Sequence, residues 1–78
     1  MITLADGRVF DGTPLQILRG MKALAFRKGG TDSEYIDWVV ENTLRYNDIQ
    51  LSIIGESDED RATSLLDELV RAGLATRS

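Results

Sequence analysis

Three helix-start signals divide this 78-residue sequence: Thr13-Pro14-Leu15-Gln16, Thr31-Asp32-Ser33-Glu34 and Ser57-Asp58-Glu59-Asp60. In the first two, the threonine hydroxyl can accept from a backbone N–H three residues on. The Gln or Glu there can reach back to the threonine N–H, which completes a capping box. Pro14 also suits the first helical position. In the third, Ser57 is the cap, and the acids that follow favour the positive end of the helix dipole. Each signal opens a stretch of apolar residues at helical spacing. The first stripe is Ile17, Leu18, Met21, Leu24 and Ala25, running to about Lys28, where Gly29-Gly30 stops the helix. The second is Tyr35, Ile36, Val39, Val40, Thr43 and Leu44, stopped at Asn47-Asp48. The third is Ala62, Leu65, Leu66, Leu69 and Val70, with Gly73 in place to end the helix and Leu74 to fold back on Leu69.

What remains reads as extended chain. In ITLADGRVFDGT, the Asp6-Gly7 pair suits a two-residue type I′ turn. That turn sets Leu4 opposite Val9 and Thr3 opposite Phe10. Ile2, Leu4 and Val9 then face the core, and Phe10 faces away. A lone hairpin is marginal in water, so a third strand is needed. Residues 49–54, Ile-Gln-Leu-Ser-Ile-Ile, alternate apolar and polar before Gly55 and supply the candidate. The expected fold is α+β, with order ββααβα and a single domain over 1–78. A small, mainly antiparallel three-stranded sheet, the N-terminal hairpin plus strand 49–54, packs against three helices lying mainly on one face. Gly20 inside the first helix suggests close approach of a neighbouring backbone. Open edges at residues 2–4 or 49–54 offer a route to association.

Composition removes several function classes. The sequence has no Cys and no His, so Cys-His and Ser-His-Asp catalysis are excluded and the usual zinc ligands are missing. No site with a Walker or dinucleotide-binding glycine pattern occurs. Gly29-Gly30-Thr31 precedes a helix start, but Asp32 and Glu34 there repel an anion. Glu56-Ser57-Asp58-Glu59-Asp60 lacks the spacing of an EF-hand loop. A small accessory protein without catalytic residues, metal, cofactor or small-molecule substrate is therefore expected. No apolar run is long enough to span a membrane, and MITLADG is unlike a signal peptide. Those features and the missing cysteines suit a small bacterial cytoplasmic protein.

Two aromatics fall outside their stripes. Trp38 lies about 200° from Ile36 around the helix, among Glu34, Glu41 and Arg45. Phe26 lies about 180° from Ile17, on a strip with Leu15, Arg19 and Lys22. Either ring can pack inward against a neighbouring helix, or the two can form a surface for a protein partner or a second copy of the chain. Net charge is −4, with five basic and two acidic residues before position 31 and four basic and eleven acidic after it. The cations Arg19, Lys22, Arg27 and Lys28 raise nucleic acid as an alternative ligand, against the acidic total. The ending LLDELVRAGLATRS resembles, over fourteen residues, the helix-then-strand passage of winged-helix proteins. Such a resemblance would imply DNA binding, although Asp67 and Glu68 are poor company for phosphate.

Overall fold

The computed structural model describes residues 1–24 and 30–77. Its elements are β1 (Ile2–Leu4), β2 (Val9–Phe10), α1 (Pro14–Leu24), α2 (Asp32–Asn47), α3 (Asp58–Arg71) and β3 (Ala75–Arg77). The fold is α+β, with three helices and an open three-stranded antiparallel sheet ordered β2-β1-β3.

All three helix starts form as their sequences dictate. Thr13 Oγ1 accepts from the Gln16 N–H (3.2 Å), and the Gln16 side chain accepts from the Thr13 N–H (2.9 Å). Thr31 and Glu34 make the same reciprocal pair, and Ser57 Oγ accepts from the Asp60 N–H. Helix α3 ends as expected: the Gly73 N–H donates to Val70 O and the Leu74 N–H to Leu69 O, with Gly73 at φ +79°. Those two bonds define a Schellman motif, and they satisfy carbonyls that the helix end would otherwise leave unpaired.

Two expectations about the extended chain are corrected. The first is the hairpin register. The Leu4 N–H donates to Arg8 O (2.8 Å) and the Gly7 N–H to Leu4 O (2.9 Å), which makes a three-residue loop of Ala5, Asp6 and Gly7. Gly7, at φ +92°, supplies the left-handed residue of this turn-plus-bulge. The added loop residue slides the pairing by one position, to Ile2 with Phe10 and Thr3 with Val9. A one-residue slip exchanges the faces. Phe10 turns inward against the core, and Val9 is left 55% exposed. This also accounts for Gly20, because a Cβ there would lie 3.1 Å from the Phe10 ring. The glycine accommodates an aromatic ring rather than a neighbouring backbone.

The second correction is the third strand. It is Ala75–Arg77, not 49–54, so the helices run consecutively and the order is ββαααβ. β3 pairs with β1 as Ile2 with Arg77, Thr3 with Thr76 and Leu4 with Ala75, extended by the Ala5 N–H to Leu74 O bond (2.9 Å). Strand β1 is therefore central, and residues 2–4 offer no free edge. Residues 49–54 keep the burial alternation their sequence predicts, with Leu51 buried and Gln50, Ser52 and Ile54 exposed. Their backbone bonds go elsewhere. The Ser52 N–H donates to Glu68 Oε1 (2.8 Å) and the Ile54 N–H to Ser64 Oγ (3.0 Å). Two residues of extended chain advance about 6.6 Å, and four residues of helix about 6.0 Å. The segment thus runs antiparallel to α3, with helix side chains standing where a neighbouring strand's carbonyls would be.

Helix α3 packs against α1, α2 and β3. Its Ala62, Leu65, Leu66 and Leu69 join Leu18, Ile36, Ile2 and Leu51 in one core. Burying each Leu or Ile there contributes about 1.5–3 kcal/mol. Leu24 and Leu44, expected on inward stripes, are 58% and 44% exposed; Leu44 lies in the last turn of α2, beyond the core. The expected extension of α1 to Lys28, with Ala25 on its stripe, lies outside the described residues. Among the described residues no helix is long and apolar enough to cross a membrane.

Candidate functional site

Helix α2 carries Tyr35, Trp38, Asn42 and Tyr46 along one strip. Measured from Tyr35 instead of Ile36, Trp38 lies only about 60° around the helix, at the margin of the buried face. Its ring stacks on Tyr35, with centroids 5.8 Å apart and planes 24° apart. That geometry is an offset stack worth about 0.5–1.5 kcal/mol beyond area burial. Trp38 is partly buried against the core, so its environment falls between the two expected for it.

The strip forms one wall of a groove of about 420 Å³. The hairpin turn supplies the opposite wall through Leu4, Ala5 and Asp6, and Leu69 and Leu74 supply the floor at the end of α3. Tyr46, 74% exposed, forms the rim. A second hollow of about 240 Å³ lies between Trp38, Phe10, Arg8 and Leu24. Trp38 borders both.

Chemically the groove is apolar with few polar points. Asn42 Nδ2 donates to Trp38 O (2.7 Å), which holds the amide against the helix. Burial pushes the Tyr35 hydroxyl above its ordinary pKa of 10. Asp6 is the one carboxylate in the described lining, and it faces Arg8 at 3.4 Å. Among the described residues no acid–base pair converges on the groove. Among the described residues no group of three or more His, Cys, Asp or Glu is gathered for a metal ion.

The residues expected around Trp38 are placed differently. Glu41 and Arg45 make an exposed i,i+4 ion pair (3.3 Å), and Glu34 serves the α2 capping box. None of the three lines the groove. Leu15 packs against the core. Arg19 and Lys22 reach Asp32 at 3.3 and 3.6 Å, and Lys22 Nζ also donates to Gly30 O (2.6 Å). These two cations therefore tie α1 to the start of α2. Phe26, Arg27 and Lys28 lie outside the described residues. Leu4, Leu74 and Tyr46 line the groove without having been expected there from sequence. Tyr46 has a readable signal, since it lies eleven positions, or about three turns, after Tyr35.

A cleft of about 450 Å³ opens where residues 52–55 cross α3, lined by hydroxyls and acids including Ser52, Ser64, Asp67 and Glu68. Glu68 is the organising group. Two bonds from Arg71 (2.7 and 2.9 Å) and one from the Ser52 N–H hold its carboxyl down at about 2, below its ordinary 4.5. A carboxylate with a depressed pKa stabilises the fold fully above its unfolded value and loses that contribution as it protonates. Glu68→Gln should therefore be less stable than the parent near neutral pH. The gap should close between about pH 5 and pH 2 in denaturant melts. A gap unchanged across that range would show that the Glu68 charge does not hold the segment.

Comparison with protein families, with curated proteins and with solved structures finds no match to this chain.

Proposed function

We propose that this is a non-catalytic accessory domain that acts by binding another protein through the groove beside Trp38. The observation that carries the reading is the placement of Trp38. Its ring is backed by Tyr35, borders two hollows, and shares the lining of the larger one with the 74%-exposed Tyr46. Rigid aromatics at the edge of an apolar hollow are the residue types that anchor protein interfaces. The scarcity of titratable groups in the lining favours binding over catalysis. The nucleic-acid alternative is weakened at Arg19 and Lys22, because both are engaged by the Asp32 carboxylate.

A photo-crosslinker substituted at Tyr46 should trap a discrete protein adduct in cells. One at Thr63, on α3 outside the groove, should not. Equal adducts at both positions, or none at Tyr46, would overturn the reading. Trp38→Ala should cost about 1.5–3 kcal/mol in chemical denaturation, less than the 3–5 kcal/mol typical of a fully buried aromatic. A loss below about 0.5 kcal/mol, the range of open-surface substitutions, would mean that the ring does not contact the core.

A further inference from the structure

Strand β2 borders one side of the sheet, and its outer edge is open. Parity along the hairpin fixes which groups lie there. The Leu4 N–H donates to Arg8 O and Ile2 pairs with Phe10, so the ladder bonds of β2 to β1 run through Arg8 and Phe10. Successive residues of extended chain alternate edges, which turns the N–H and C=O of Val9 away from the sheet. Neither group has a partner among the described residues. Val9 is 55% exposed, and Gly7 and Asp11 on either side of it are exposed as well. The other candidate edges differ. The Ala5 N–H to Leu74 O bond leaves Ala75 as the outward residue of β3, and Ala75 is 4% exposed. Residues 49–54, with Leu51 2% exposed, present no free row either. An unpaired, solvent-open edge is a template for another strand.

We propose that a second copy of this chain pairs along the β2 edge, antiparallel and about a two-fold axis at Val9, so that the two sheets become one. The length of the edge selects a second copy over a foreign peptide. β2 has two residues and offers few bonds. A flexible segment would give up backbone freedom at every residue to make them. A second copy presents an edge that folding has already ordered, and the two-fold axis makes each contact twice. The side chains agree. The axis sets Val9 against Val9 of the other copy, which covers an exposed apolar residue on both. On the helix side Arg8 falls opposite Phe10 of the other copy. Its stem then lies over the hollow that Phe10 shares with the 58%-exposed Leu24. Charge fits as well. Arg8 marks one end of the edge and Asp11 the other, and both side chains are more than half exposed. Arg8 meets Asp6 at 3.4 Å and Asp11 meets the Met1 amine at 3.6 Å, so neither end carries an unbalanced charge. Antiparallel pairing brings the Arg8 end of each copy to the Asp11 end of the other. The inference rests on this edge and is independent of what the groove beside Trp38 binds.

The test is sedimentation equilibrium and NMR on the whole chain. The weight-average mass should rise reversibly from that of a monomer at about 10 μM toward that of a dimer at about 1 mM. Over the same range, exchange of the Val9 amide with solvent should slow at least about fivefold, while the Phe10 amide, already bonded to β1, changes little. Val9→Pro removes the outward donor and no bond within the hairpin, and an edge position of this kind tolerates proline. That variant should stay folded and monomeric at the highest concentration. If it unfolds, Val9→Lys asks the same question, because it alters only an exposed side chain and sets two ammonium groups across the axis. A monomeric mass throughout would overturn the proposal and leave the edge to a strand of a different protein. Association retained by both variants, or a Val9 amide insensitive to concentration, would overturn it by placing the contact elsewhere. None of these outcomes bears on crosslinking of a different protein at Tyr46.

Discussion

Leu51→Ala should destabilise the fold by about 2–5 kcal/mol, the range measured for emptying a buried leucine site. Leu51 is 2% exposed and is among the largest fully buried side chains. It is also the central inward contact of a segment that lacks a sheet ladder. Its flanking partners, Ile49 and Ile53, are only partly buried. A chain of this length has a total stability of roughly 4–12 kcal/mol, so the substitution removes a large share of it. Urea titration gives the measurement, with Gln50→Ala as the exposed neighbour whose effect should stay within about 0.5 kcal/mol. A Leu51→Ala loss under about 1 kcal/mol would show that residues 49–54 do not pack as described.

A comparable loss, about 2–5 kcal/mol, is expected for Gly55→Ala, where two penalties combine. Gly55 lies at φ +123°, a conformation that side chains disfavour. A Cβ there would also lie 2.6 Å from Asp60 Cβ and 3.1 Å from the Asp60 carbonyl carbon, atoms that cannot move without shifting α3. Gly7→Ala separates the two effects. Gly7 has φ +92°, but nothing lies within 4 Å of the position its Cβ would take. Its cost should be the backbone penalty alone, about 1–2 kcal/mol. If the two variants lose equal stability, the close approach of residue 55 to the start of α3 does not exist in solution.

The helices were legible because their signals are local. Thr13, Thr31 and Ser57 each cap within three residues of themselves, and Gly73 ends α3 through bonds to Leu69 and Val70. The sheet was legible only in part, because strand pairing is decided far along the chain. The alternation in 49–54 correctly predicts which side chains face inward, but period-2 burial reports extension and not the identity of the hydrogen-bond partner. Glu68 and Ser64 answer the backbone there, and nothing in Ile-Gln-Leu-Ser-Ile-Ile points to them. β3 was hidden for the opposite reason. Ala75 and Arg77 carry little strand propensity, and the pairing is imposed by β1 and by the chain direction that the Schellman turn fixes. The resemblance to a helix-then-strand passage did mark that stretch, although its strand joins the N-terminal hairpin. At the groove, Trp38 was found by its misfit to a stripe centred on Ile36. The hairpin turn opposite it is a tertiary neighbour that no spacing along α2 reveals.

The central position of β1 has a kinetic consequence. Ile2 pairs with Phe10 on one side and with Arg77 on the other, so one strand joins a contact eight residues away to another about 75 residues away. Closing so long a loop costs on the order of 4 kcal/mol of chain entropy before any bond offsets it. The helices must therefore collapse first and shorten the search. Amides of β1 and β3 should then acquire protection in the same late step, in refolding governed by topology more than by helix propensity.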